Sequence, residues 1–274
     1  MTRQPEPWWR QISVTFIERD TAEQHVLTHL APALLHLDAG GLVTSFSFLR
    51  KKAWRFRYMP VDDVRAEQAR TLLHEPMNAL RDDGLIERCV ATIYEPETVA
   101  FGGEQGMAAA HDLFHTDSRN ILTGLAQLDE GPVRRRELSL LLCAALLRAA
   151  GLDWFEQGDV WAKVAKLRPI RQQAPASRRK AVQEAAERLL VSDTRPGSEL
   201  RTGPLAFASD WVACFETAGR TLRGLADEGL LGSEGRGIRA VLAHHVIFHW
   251  NRVGLPAHTQ ADLASAAQDV VFAD

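Results

Sequence analysis

The sequence predicts an α+β protein: a small sheet with two helices first, then a mostly α-helical remainder. Three observations carry that expectation. Apolar residues alternate in short runs only within the first hundred positions. Gly40-Gly41 and Pro60 punctuate those runs. Beyond residue 100 the apolar positions recur at helical spacing instead.

The elements follow in order. Ile12, Val14 and Phe16 alternate with polar residues and predict a strand. Asp20 opens a helix, with Glu23 three residues on as a capping-box variant. Its apolar face is Ala22, Val26, Leu30, Ala33, Leu34 and Leu37, and Gly40-Gly41 ends it. Residues 44–50 and 54–59 form an aromatic-rich hairpin around Lys51-Lys52-Ala53. Residues 62–81 read as a second helix and 85–94 as a fourth strand. The order β-α-β-β-α-β is that of a ferredoxin-like split βαβ unit. The expected domains are 1–100 for this unit and 101–274 for a helical subdomain, with a site at their junction.

In the helical part, Met107, Ala110, His111, Phe114, Ser118, Ile121, Leu122 and Leu125 share one face. Residues 137–150 are nearly all apolar, which predicts a central helix. Ser177 caps a helix with the stripe Ala181, Val182, Ala185, Ala186, Leu189 and Leu190. Residues 207–228, 238–253 and 260–271 are further helices, and 191–203 is a loop.

Composition narrows the function classes. The net charge of −3 gives no whole-chain footprint for nucleic acid, although local basic clusters could bind an anion. The three cysteines are widely spaced, so neither a disulfide framework nor a structural zinc is expected. The N-terminus has no signal-peptide pattern, and the best apolar run, residues 138–147, is too short to span a bilayer. A cytoplasmic protein without membrane or nucleic-acid partners is expected.

Five clusters could carry chemistry. In the hairpin Phe48-Leu49-Arg50 to Tyr58, Arg55 and Arg57 alternate onto one face and Trp54, Phe56 and Tyr58 onto the other. Guanidinium groups suit a carboxylate, because they donate two parallel bonds. A solvated basic hairpin is the plain alternative. Tyr94-Glu95-Pro96-Glu97, followed by Phe101-Gly102-Gly103, could do acid–base work near those arginines, or be a turn paired to them structurally. His111/His115 and His245/His249 are i,i+4 pairs. His111 to His115 has the length of a zincin motif with Asp for Glu, but no third ligand is marked, so no metal is expected. His249-Trp250-Asn251-Arg252 ends a helix, where Arg252 suits the negative dipole end. Residues 151–161, ending at Trp161, are an acidic, aromatic loop that could line a cleft or cap the next helix.

Taken together, the motifs resemble one family. Phe48-Leu49-Arg50 with Trp54-Arg55-Phe56-Arg57, Tyr94-Glu95-Pro96-Glu97 with Phe101-Gly102-Gly103 and Gly106-Met107, Phe114-His115 with Asp117-Ser118, and Asn251-Arg252 occur in order. That order resembles the thiopeptide-type bacteriocin biosynthesis family, stand-alone relatives of the elimination domain of LanB lantibiotic dehydratases. The resemblance runs from about Trp9 to Phe272.

The resemblance implies a peptide-tailoring enzyme without a cofactor. Its partners would be a precursor peptide, with leader and dehydrated core, and other enzymes of the pathway. One reaction it implies is a formal aza-[4+2] cycloaddition of two dehydroalanines, giving a pyridine as leader and water leave. The other is elimination of glutamate from glutamylated Ser or Thr, as the partner of a split dehydratase. A non-catalytic leader-binding subunit, docking peptide on a sheet edge, is a third possibility. Glu95, Tyr94, Glu97 and His249 would be catalytic. Arg50, Arg55, Arg57, His115, Asp117, Trp161, Asn251 and Arg252 would bind substrate. Two departures favour cycloaddition. In the full-length dehydratases a histidine stands four residues before the Asn-Arg pair, and here Ile247 stands there. Lys51-Lys52-Ala53 also shortens the stretch between Arg50 and Trp54.

Overall fold

Four antiparallel strands make the sheet of the N-terminal unit: β1 (Arg10–Phe16), β2 (Val43–Arg50), β3 (Trp54–Pro60) and β4 (Ile86–Thr92). Their order is β2-β3-β1-β4. In it β3 lies between β1 and β2, and β1 between β3 and β4, as a ferredoxin-like unit requires. This computed structural model describes residues 9–130, 134–170, 175–231 and 237–273. The chain divides into Met1–Pro96 and Glu97–Asp274.

Register sorts the sheet into two faces. Ile12 faces Phe56 and Val14 faces Trp54 across β1 and β3, while Phe48 and Phe46 face Phe56 and Tyr58 across β2 and β3. These apolar side chains share the face under the helices. Cys89 on β4 confirms the side, its Sγ lying 3.7 Å from Met77 Sδ of helix α3 (Asp63–Asp82). Gln11, Arg57 and Ser47 fall on the opposite face.

The first helical stretch departs from the predicted start. α1 (Ala22–His25), a π-turn (Val26–Leu30) and α2 (Ala31–Ala39) run on without a break. No side chain caps α1. Glu23 is not a capping-box partner, because its carboxylate accepts from Arg50 Nη1 instead. The wider turn sits just before Pro32, which has no N–H to give the i−4 carbonyl. The cap of α3 is real: Asp62 accepts from the Arg65 N–H at 2.8 Å. β4 stops at Thr92, so Tyr94 lies beyond the strand predicted to hold it.

The second unit is helical. Its helices are α4 (Glu104–Glu130), α5 (Arg135–Ala149), α6 (Trp154–Leu167), α7 (Ala176–Leu190), α8 (Glu199–Thr202), α9 (Ser209–Asp227), α10 (Gly237–Arg252) and α11 (Ala257–Phe272). α5 is buried continuously from Leu138 to Leu147, as its all-apolar run predicts. α9 packs on α5 so closely that a Cβ at Gly219 would lie 2.4 Å from the Leu146 carbonyl oxygen. Glycine there is a packing requirement. Three expectations are corrected. Residues 154–161 are the start of α6 rather than a loop: Asp153 and Glu156 close a capping box that starts a helix there. α7 begins at Ala176, and Ser177 makes no cap bond. The loop predicted over 191–203 contains the single turn α8, capped by Ser198. Among the described residues no helix is long and apolar enough to cross a membrane.

Candidate functional site

The polar face of the sheet carries a connected row. Arg57 Nε donates to Gln11 Oε1 at 2.8 Å. Gln11 Nε2 in turn donates to Thr92 Oγ1 at 2.8 Å and to the Ile93 carbonyl at 3.1 Å. The Arg57 guanidinium lies 4.2 Å from the centre of the Tyr94 ring. Trp9 meets that ring edge-on at 5.6 Å. Tyr94 is thus held between a cation and an indole, although it sits outside the strand. Arg57 is only 7% exposed. Arg55 occupies the same face one pair along, opposite Ser13 and Leu49, and is exposed. Glu95 and Glu97 follow in an irregular segment, both exposed.

Arg50 does not join this row. It pairs in register with Trp54 and so lies on the helix side. There it bonds Glu23 and stacks 4.5 Å from the Trp54 ring centre. Six residues of the hairpin separate Arg50 from Arg57, and the odd step across the turn reverses its face.

The helical unit builds a second cluster around Asp117 of α4. Trp211 Nε1 of α9 donates to its Oδ1 at 2.8 Å. From α10, Arg252 Nε donates to Oδ2 at 2.7 Å, and His249 Nδ1 lies 3.0 Å from both oxygens. A carboxylate only accepts, so His249 carries its proton on Nδ1. Asp117 and His249 are 0% exposed and Arg252 1%. The Arg252 guanidinium also lies 4.3 Å from the centre of the Phe114 ring. Burial alone would raise the Asp117 carboxyl; the charges and bonds of His249 and Arg252 outweigh it and hold the pKa below the usual value. One turn before His249, His245 is fully enclosed, 5.0 Å from the Phe101 ring. Among the described residues neither of its ring nitrogens, nor His249 Nε2, has a hydrogen-bond partner.

The remaining residues named from sequence are dispersed. Trp161 is buried in α6, stacked 6.2 Å from Trp250. Asn251 Oδ1 accepts from Gln260 Nε2 of α11 at 3.0 Å. His115 is half-buried on α4 near Asp112, whose carboxyl burial pushes up. Sequence reading missed three partners: Gln11, Trp9 and Trp211. Gln11 had a signal, being the polar position of β1 that strand pairing sets beside Arg57. Trp211 had none, because the contact joins residues 94 positions apart. Among the described residues no group of three or more His, Cys, Asp or Glu could hold a metal ion.

His245 gives a pH prediction. Burial, then the charges of Arg252 and His244, push its pKa from 6.5 down to about 3. Below pH 6.5 the unfolded chain takes up a proton that the folded chain refuses. Stability is therefore full above that pH and falls by roughly 1.4 kcal/mol per unit as pH drops towards the folded value. Chemical denaturation should show a loss of about 2 kcal/mol between pH 6.5 and 5. His245→Leu should flatten that slope, and an unchanged slope in the variant would refute the assignment.

The chain thus carries a ferredoxin-like split βαβ sheet with an arginine–tyrosine row, and a helical unit tied on a buried aspartate. The chain belongs to the family described as lantibiotic biosynthesis dehydratase C-term, which matches residues 9–271. Among solved structures it is similar to the tRNA-dependent lantibiotic dehydratase MibB from Microbispora sp. 107891, with 16% identity and a TM-score of 0.69. That match covers 98% of this chain and 28% of the dehydratase, so the chain spans less than a third of that protein. It is also similar to the pyridine synthase TbtD from thiomuracin biosynthesis, with 14% identity, a TM-score of 0.64, and coverage of 96% and 97% of the two chains. A third similar structure is TsrL, with 14% identity, a TM-score of 0.61, and coverage of 96% and 98%. No curated protein matches the chain.

Proposed function

We propose that this chain tailors a dehydrated, leader-bearing precursor peptide, joining two dehydroalanines by a formal aza-[4+2] cycloaddition. One dehydroalanine reacts as the iminol tautomer of its amide, the other as the alkene. Two C–C bonds form and close a six-membered ring. Water then leaves, and the C–N bond to the leader breaks as the ring becomes a pyridine. No oxidant is needed. The demands on the protein are orientation of two flexible alkenes and a proton donor and acceptor.

The observation that carries the choice is on α10. Ile247, 5% exposed, stands four residues before Asn251, where the resemblance to the full-length dehydratases implies a histidine for glutamate elimination. The nearby His249 is turned into the core onto Asp117. In this reading Arg55 and Arg57 hold peptide carbonyl or carboxylate oxygens, and Tyr94, Glu95 and Glu97 move protons. In the helical unit His115 is half-buried and Asn251 is bonded to Gln260, so neither is given a role on the sheet face. Asp117, His249, Arg252 and Trp161 act from the core by fixing the helices, since none has an exposed surface to offer a peptide.

The test is to give the purified chain a dehydrated precursor and a glutamylated precursor and read the masses. Release of intact leader with a new pyridine chromophore is expected. Loss of glutamate alone would replace this reading with elimination, and binding without any mass change would leave a non-catalytic subunit. Arg55→Ala and Glu95→Ala test the sheet face. Both side chains are exposed, so unfolding should shift by less than about 0.5 kcal/mol. Turnover of Glu95→Ala should fall on the order of 10²-fold. Unchanged turnover in both variants would move the site elsewhere.

A further inference from the structure

Two helices of the helical unit leave a groove between them that the proposed reaction does not use. α4 sets Ala109, Asp112, Leu113 and Thr116 on one stripe at helical spacing. α9 brings Cys214, Thr217 and Ala218 against it. Most of these side chains are too small to close the gap. A cleft of about 270 Å³, open to solvent, remains. That is just under the roughly 300–1,000 Å³ of pockets that take whole small molecules, and it suits a single side chain.

The floor of the groove is apolar: Leu113 is 2% exposed, and Ala109 and Ala218 are 8% each. Its polar groups favour a donor. Thr116 Oγ1 spends its proton on the Asp112 and Leu113 carbonyls, at 3.1 and 3.2 Å, so it can only accept from a ligand. Asp112 is exposed at the rim, and among the described residues it makes no ion pair. On α9 Arg220 Nη2 donates to Thr217 Oγ1 at 3.0 Å instead of pairing with Asp112. Burial raises the Asp112 carboxyl above its usual value, with His115 opposing it. The Cys214 thiol senses a field of the same sign: after burial, and against hydrogen bonds from Thr116 and Asn120, the charges of Asp117 and Asp210 push it up.

We propose that this groove holds a lysine side chain of a bound peptide: the aliphatic stem lies along Ala109, Leu113 and Ala218, and the ammonium meets Asp112 at the rim. Apolar walls with one carboxylate at the edge match an amphipathic cation, which buries its stem and keeps its head in water. The open side leaves room for the peptide backbone outside, whereas a free amine would call for an enclosed pocket. Assigning that peptide to the precursor rests on the peptide-tailoring reading; the preference for lysine does not.

Cys214 reports occupancy, since it lines the groove and is half-buried. The whole chain is alkylated with iodoacetamide, and modified Cys214 and Cys89 are followed by mass spectrometry. Capped Gly-Ala-X-Ala-Gly peptides are added with lysine, norleucine or glutamate at X. The lysine peptide should slow Cys214 about threefold more than the norleucine peptide, the size expected of an exposed ion pair. The glutamate peptide should not slow it. Asp112→Asn should erase the difference between lysine and norleucine, and Asp112→Lys should reverse it. Cys89, on the sheet, should react at one rate throughout. Absence of slowing, equal slowing by lysine and glutamate, or a lysine preference that survives Asp112→Asn would each overturn the proposal. Hexylammonium protecting at lower concentration than the lysine peptide would replace the peptide by a free amine. The two readings fail separately. A chain that prefers lysine here but converts no precursor keeps the groove and loses the reaction. One that converts precursor but shows no lysine preference does the reverse.

Discussion

Asp117→Ala is expected to remove cooperative folding of the helical unit, at a loss of about 3–5 kcal/mol. The size follows from what the carboxylate holds. It is the common acceptor for Trp211, His249 and Arg252, from two helices other than its own. Removing it leaves a guanidinium in the core, 1% exposed, without its counter-charge. Leaving a buried charge uncompensated is far worse than losing one neutral hydrogen bond, which is worth about 1 kcal/mol. A domain of this size has only about 5–15 kcal/mol of stability in total. Asp117→Asn should be milder, because one oxygen still accepts, although its NH2 then faces a donor. Urea unfolding followed by tryptophan fluorescence reads both variants directly, since Trp211 is in the cluster. A midpoint for Asp117→Ala within about 0.5 M of the parent would show that the cluster is not what holds the helices together.

This cluster also shows how far the sequence could be read. The strands, the two helices over them and the central α5 follow from local periodicity, which needs only neighbours three or four residues away. Only the β2–β3 connection is short; the place of β1 between β3 and β4 follows from the succession β-α-β-β-α-β, whose two crossovers each carry helix. Asp117, Arg252 and His249 were singled out by motif, but their mutual contact was not legible. A carboxylate on an apolar helix face looks the same whether it lines a cleft or ties a core. The difference is made by donors 94, 132 and 135 positions away. The face of Arg50 was not legible for a different reason. It belongs to the same motif as Arg55 and Arg57, and only the register across the tight turn shows that it faces the helices. The sequence predicts a loop over residues 151–161 that lines a cleft or caps the next helix; Asp153 and Glu156 do cap α6, and Gly158 lies within that helix. There that glycine lets α11 approach: a Cβ would fall 2.6 Å from Val271.

The second large effect is expected on the sheet face, where Arg57 and Tyr94 can be separated by substitution. Arg57→Ala should lower kcat/KM on the order of 10²–10³-fold, the usual cost of removing one pre-positioned donor. It also releases Gln11 and the Tyr94 ring, so this variant alone does not tell binding from support. Arg57→Lys keeps the charge but loses the planar fork and the stack, and should recover only part of the activity. Tyr94→Phe isolates the phenol. A phenyl ring still receives the Arg57 cation and the edge of Trp9, so the fold and KM should hold. If the hydroxyl transfers a proton during ring closure or leader expulsion, kcat falls by about 10²-fold or more, and the alkaline limb of the pH–rate profile disappears with it. If the ring only braces Arg57, kcat and the profile stay as in the parent, and the proton traffic passes to Glu95 and Glu97. Measuring kcat and KM separately in Tyr94→Phe therefore decides which group on this face is the acid.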